Sequence, residues 1–143
     1  MSFLRDVTNY RRTRRVLVAH RSPTATKSIA SVLAEFDGMG VAGVAYNLTQ
    51  CLAMTEIVRP DIVLFEQDMA GENLAPVIGW IKSKVPSASV VIISTLGGAE
   101  LRLRCLEAGA DYFCKETIKL SSLSDVIGQF EDCSTTASDR YGL

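Results

Sequence analysis

Short, mostly apolar runs alternate along this chain with stretches whose apolar residues recur every third or fourth position. The runs span residues 16–19, 41–45, 62–65, 90–93 and 111–114, and turn-forming residues separate them. Apolar runs of this length are typical of strands buried on both faces, as in parallel sheets covered by helices. The stretches that follow these five runs predict five amphipathic helices.

Two of the helix starts carry clear capping signals. Ser22 precedes Pro23, which suits an N-cap followed by a proline at the first helical position, and Asn47 suits the N-cap of the next helix. The first helix presents one apolar stripe, formed by Ile29, Val32, Leu33 and Phe36. Five strands alternating with five helices predict an α/β fold with a doubly wound, five-stranded parallel sheet, for which we choose the flavodoxin-like order 2-1-3-4-5.

Composition limits the domain organisation and the partners. The 143 residues are 48% hydrophobic and 22% charged, which is typical of a soluble globular chain. We expect a basic N-terminal tail over residues 1–14, one domain over residues 15–131 and a flexible C-terminal tail over residues 132–143. A net charge of -1 predicts neither a nucleic-acid nor a membrane partner. Four cysteines without a Cys-x-x-Cys pair or a signal peptide favour reduced thiols in a cytoplasm.

Polar and charged side chains follow several of the predicted strands. His20 and Arg21 follow the first strand, Glu66 the third and Lys115 the fifth, while Ser94 ends the fourth. Because the carboxyl ends of parallel strands meet at one edge of the sheet, we expect these groups to converge on the crevice between strands one and three. Because the single histidine, His20, cannot by itself form a metal cluster, we predict no metal site there.

Four segments resemble response-regulator receiver domains in order and spacing. The most specific is Pro-Asp-Ile-Val-Leu-Phe-Glu-Gln-Asp-Met-Ala-Gly over residues 60–71, and the others are residues 16–24, 90–94 and 107–113. The resemblance covers about residues 14–131. It implies the receiver fold and a role in bacterial two-component signalling, in which a histidine kinase phosphorylates an aspartate at the end of the third strand.

The same resemblance marks two departures from the family pattern. Glu66 occupies the position of the phosphorylated aspartate, and His20 and Arg21 occupy the positions of the acidic pair that holds a magnesium ion in receiver domains. A cation at Arg21 repels a magnesium ion instead of ligating it. We interpret Glu66 either as a permanent, partial mimic of the phosphorylated aspartate or as part of an inert pocket, paired with Arg21 or Lys115.

At other positions this sequence either matches the receiver pattern or allows two alignments with it. Ser94 matches the family's hydroxyl residue, which together with a lysine contacts the oxygens of the new phosphoryl group. Counting straight along the chain puts Glu116 at the position of the family's lysine, whereas one deleted residue puts Lys115 there. The aromatic residue that rotates on activation falls on Phe113 or Tyr112, according to the same count.

We therefore expect a stand-alone, non-enzymatic pseudo-receiver, without a cofactor, that binds another signalling protein and is not phosphorylated by the usual magnesium-dependent route. The resemblance implies a contact surface on the fourth helix, fifth strand and fifth helix, where Leu101, Leu103 and Leu106 cannot all face inward, and a second copy of the chain is an alternative partner. One alternative function is phosphotransfer through an unusual acceptor, Asp68 or Glu66, although Asp68 is interpreted first as a turn residue. Another is a small-molecule or flavin-binding module, suggested by the hydroxyls of Ser22, Thr24, Thr26 and Ser28.

Overall fold

A computed structural model describes residues 13–96, 98–115 and 121–132, and in these ranges five strands alternate with five helices. The strands are β1 (Arg14–Ala19), β2 (Met39–Ala45), β3 (Ile62–Glu66), β4 (Ser89–Ser94) and β5 (Tyr112–Lys115). The helices are α1 (Pro23–Ala34), α2 (Leu48–Val58), α3 (Leu74–Lys84), α4 (Ala99–Glu107) and α5 (Ser121–Asp132). Two short 3-10 turns, Gln67–Met69 and Gly71–Asn73, connect β3 to α3.

The strands form one parallel sheet in the order β2-β1-β3-β4-β5, which confirms the predicted topology. Ala19 pairs with Phe65 and Ser94 pairs with Lys115, so the carboxyl ends of β1, β3, β4 and β5 lie at the same edge. The pairing of β1 with β2 skips Ala42, which forms a β-bulge in this outer strand.

Both faces of the sheet are covered, as the apolar runs predicted. In β3, the four residues from Ile62 to Phe65 are each at most 1% exposed. Helices α2, α3 and α4 pack on the face that carries Phe65, and helices α1 and α5 pack on the face that carries Leu64. This burial stabilises the strands that hold the polar residues at the sheet edge.

Both predicted helix caps are present. The Ser22 hydroxyl accepts a hydrogen bond from the Ala25 amide at 3.1 Å, and the Asn47 side chain accepts one from the Gln50 amide at 2.8 Å. Each bond satisfies one of the backbone N–H groups that have no partner within a first helical turn.

Element boundaries differ slightly from the predictions because backbone pairing continues past the apolar residues. Strand β2 begins at Met39, β3 includes Glu66 and β5 ends at Lys115. Gly43 lies within β2, and the Met54 side chain from α2 packs where a side chain at residue 43 would lie. Arg14, at the end of the predicted N-terminal tail, is the first residue of β1. Most of the predicted N-terminal tail and nearly all of the C-terminal tail lie outside the described residues.

Candidate functional site

Glu66 lies at the centre of a polar cluster at the carboxyl edge of the sheet. It ends β3 and is only 6% exposed. The Arg21 side chain donates through Nε to one carboxylate oxygen, and His20 Nδ1 lies 2.6 Å from the other. Burying a carboxylate is costly unless it is paired and hydrogen-bonded, and here two residues from the end of β1 supply that pairing.

His20 also contacts the loop that follows β1. Its Nδ1 accepts a hydrogen bond from the Ser22 amide at 3.0 Å, and the same atom faces the Glu66 carboxylate. The imidazole is therefore held between the start of α1 and the end of β3.

Arg21 joins two carboxylates. Besides Glu66, its guanidinium contacts the exposed Asp68 side chain, with Nη2 3.2 Å from Oδ2. The hydrogen bond and the charge of Glu66, together with the weaker influence of Asp68, raise the pKa of Arg21 above its ordinary value. The guanidinium therefore remains charged and neutralises much of the acidity at this edge.

Ser94 is tied to Gln67, a residue that the sequence analysis did not single out. The Ser94 hydroxyl donates to Gln67 Oε1 at 2.7 Å and accepts from the Leu96 amide at 3.1 Å. Ser94 is 2% exposed. The only sequence signal for Gln67 is its place directly after Glu66, at the point where β3 becomes a 3-10 turn.

The candidates on β5 occupy different environments. Lys115 is exposed, and among the described residues no ion pair joins it to Glu66. Phe113 is half-buried against the core on the α2, α3 and α4 face. Tyr112 packs on the opposite face, edge-on to the Phe130 ring at a centroid distance of 5.0 Å. Glu116 lies outside the described residues.

The donor set does not fit a magnesium ion. Magnesium prefers oxygen ligands in octahedral geometry, but the end of β1 offers an imidazole and a guanidinium. The carboxylates of Glu66 and Asp68 already face the Arg21 cation. Within the part of the chain that the structure describes, no three His, Cys, Asp or Glu residues form a group able to hold a metal ion. We find no helix there that is long and apolar enough to cross a membrane.

A five-stranded parallel sheet in this order, with an acidic residue ending β3 and a hydroxyl residue ending β4, defines a receiver-type domain. The sequence matches the response regulator receiver domain family over residues 16–127, and the chain therefore belongs to that family.

Individual relatives carry different names. A protein-glutamate methylesterase/protein-glutamine glutaminase of Treponema pallidum (strain Nichols) is 30% identical over 132 residues, which cover 90% of this chain and 33% of that protein. A cyclic di-GMP phosphodiesterase of Thermotoga maritima is 33% identical over 79 residues, which cover 55% of this chain and 21% of that protein. The chain thus spans a third or less of the length of these relatives.

The fold has close structural counterparts. The crystal structure of the response regulator domain of Thermotoga maritima CheB superposes with a TM-score of 0.72 at 19% identity, covering 86% of this chain and 96% of that one. At this identity the likeness concerns the fold.

Proposed function

We propose that this chain is an atypical receiver module that acts through protein–protein interaction and is not phosphorylated by the usual magnesium-dependent route. The single observation that carries the proposal is the pairing of Glu66 with Arg21 and His20. The carboxylate at the position of the family's phosphoacceptor is occupied by cationic and hydrogen-bonding groups of the chain itself.

The chemistry of phosphoryl transfer supports this proposal. The transferred group is strongly anionic, so a nucleophilic carboxylate can approach it only where fixed cations or metal ions neutralise the combined charge. Here the nearest cation, Arg21, is already engaged with the carboxylates of Glu66 and Asp68. A hydrogen-bonded, ion-paired carboxylate is a poor nucleophile, and the donor set around it does not fit a metal ion.

No enzymatic activity is proposed for these residues. The methylesterase and phosphodiesterase relatives are about three or more times longer than the segment they share with this chain. The described site offers neither a nucleophile with an adjacent base nor a metal centre. The shared segment is the receiver part, so the activities named for the relatives are not carried over to it.

We propose the α4, β5 and α5 face as the contact surface for another signalling protein. Leu103 and Leu106 on α4 are 57% and 37% exposed, whereas Leu101 packs partly into the core. Two exposed leucines three positions apart lie on the same side of a helix, where they form an apolar surface suited to a protein partner. A second copy of the chain is the alternative occupant.

Intact-mass measurement after incubation with acetyl phosphate and magnesium tests the phosphorylation part of the proposal. We expect no phosphoryl adduct on the native chain or on Glu66→Asp, because Arg21 and His20 remain in both. A triple variant, His20→Asp, Arg21→Asp and Glu66→Asp, serves as the positive control, since it recreates the acidic set of the family. An adduct on the native chain would contradict the proposal, and peptide mapping would then distinguish Glu66, Asp68 and His20 as the acceptor.

A further inference from the structure

A groove next to the Glu66 cluster has the features of a small-molecule site. It has a volume of about 330 Å³ and lies between the β3 to α3 connection and helix α4. Leu74 and Cys105, which are 6% and 2% exposed, form an apolar floor together with the partly buried Leu101. Burial raises the pKa of Cys105, so its thiol is neutral near pH 7 and adds to the apolar surface. Ligand pockets in proteins span roughly 300–1,000 Å³, so this groove suits a molecule of about a dozen non-hydrogen atoms.

Three polar side chains line the groove with unused bonding capacity. Glu72 comes from the connection before α3, and Arg104 comes from α4 on the other wall. Among the residues that the structure describes, these two form no ion pair with each other or with a third group. Gln67 accepts from Ser94 through its carbonyl oxygen, while its NH₂ group donates to no described residue. The groove therefore offers one cation, one carboxylate and one amide donor above an apolar floor.

We propose that this groove binds a free α-amino acid with a large apolar side chain. The carboxylate of the ligand pairs with Arg104 and accepts from the Gln67 NH₂ group, while its ammonium group pairs with Glu72. Its side chain covers Leu74 and Leu101. Guanidinium groups bind carboxylates through two parallel hydrogen bonds, which gives orientation as well as attraction.

The charge pattern favours this ligand class over simpler ones. An organic acid without an amine satisfies Arg104 but brings a second negative charge towards Glu72. An organic amine or a metal cation satisfies Glu72 but is repelled by Arg104. Only a zwitterion neutralises both walls, and the apolar floor selects a side chain that gains from leaving water.

The proposed site is connected to the buried Ser94. The same Gln67 side chain that donates to the ligand accepts from Ser94, whose hydroxyl in turn accepts from the Leu96 amide. Binding is therefore expected to restrain Gln67 and strengthen the Ser94 contact. The backbone amide of Leu96, which does not line the groove, reports on that effect.

A titration of the full chain with L-phenylalanine, followed by two-dimensional ¹H–¹⁵N NMR, tests the proposal. We expect saturable shifts for groove residues and for Leu96, with a Kd of about 0.1–1 mM, as suits a small ligand in an open groove. Arg104→Gln is expected to weaken binding roughly tenfold, the loss of one charge-assisted contact. Arg102→Gln is the matched control, because Arg102 is exposed on the same helix but does not line the groove. It should bind as the native chain does.

Two altered ligands make the outcome decisive. Phenethylamine lacks the carboxylate and N-acetyl-L-phenylalanine lacks the ammonium group, so both should bind at least tenfold more weakly than L-phenylalanine. The proposal is overturned if L-phenylalanine causes no saturable shifts at the groove, if either altered ligand binds equally well, or if Arg104→Gln and Arg102→Gln behave alike. None of these results depends on whether the chain is phosphorylated.

Discussion

The buried thiol of Cys51 makes the stability of the fold depend on pH in the alkaline range. Cys51 lies on α2 with 0% of its surface exposed. Burial raises the pKa of its thiol from 9.0 to about 11, and a hydrogen bond with Thr55 opposes the shift only in part. Replacing Cys51 with alanine removes the titrating group while leaving the helix in place.

The direction of the pH effect depends on whether the folded or the unfolded chain binds the Cys51 thiol proton more tightly. Between the unfolded pKa of 9.0 and the folded pKa of about 11, the folded chain keeps the thiol proton that the unfolded chain loses. The contribution of the Cys51 thiol to the free energy of unfolding is therefore fully present below pH 9, and it decreases as the pH rises through this window. With one pKa unit equal to about 1.4 kcal/mol, the loss from pH 8 to pH 10.5 is about 2 kcal/mol.

Urea unfolding at several pH values from 8 to 10.5 measures this effect. At pH 8, Cys51→Ala should be about 1 kcal/mol less stable than the native chain, because it leaves a small cavity. At pH 10.5 the order should reverse, with the variant about 1 kcal/mol more stable. Val58→Ala, a buried change on the same helix without a titrating group, should cost the same at every pH. A difference between native and Cys51→Ala that stays constant with pH would refute the reasoning.

Two further predictions concern the sheet and the α4 surface. The Asp111 side chain accepts a hydrogen bond from the Val90 amide at 2.8 Å and forms an ion pair with Lys82 at 2.9 Å. In urea unfolding, Asp111→Ala should lower the free energy of unfolding by about 1–3 kcal/mol, because the buried Val90 N–H loses its acceptor. Asp111→Asn keeps an acceptor for that N–H and should cost less than about 1 kcal/mol; equal costs would argue against this role. Leu103→Glu should abolish capture of a partner protein in affinity pull-down with mass spectrometry. Ile57→Glu, at a 76% exposed site on α2, should leave capture of the partner unchanged. If both variants lose the partner equally, the α4 face is not the contact surface.

The fold could be predicted from the sequence because strands that are buried on both faces form continuous apolar runs. The apolar run ending at Phe65, bounded by turn-forming residues, favoured an inner strand. The caps at Ser22 and Asn47 rest on local hydrogen bonds that these residue types commonly form. The ends of the strands were predicted less accurately than the strands themselves. Backbone pairing extends β5 to Lys115, beyond the apolar residues, because a ladder needs no particular side chain.

The candidate site was accessible only in part. Parallel topology brings His20, Arg21, Glu66 and Ser94 to one edge, as expected. The contact of Ser94 with Gln67 depends on the 3-10 turn after β3 and on a side-chain rotamer, neither of which a residue pattern specifies. The preference of Glu66 for Arg21 over Lys115 likewise depends on how far each long side chain reaches across the edge.

The bulge at Ala42 bears on how this chain avoids aggregation. Strand β2 lies at the outer side of the sheet, and its residues Met39–Ala45 include no charged residue and no proline. Such an edge is a template on which an extended strand of another chain can add, and proteins usually guard it with lysine or proline. In β2 the bulge at Ala42 can serve the same purpose, because a β-bulge bends a strand and interrupts the regular spacing of its backbone hydrogen-bonding groups. We therefore expect the backbone shape of β2, and not its charge, to hinder the addition of another strand at this edge.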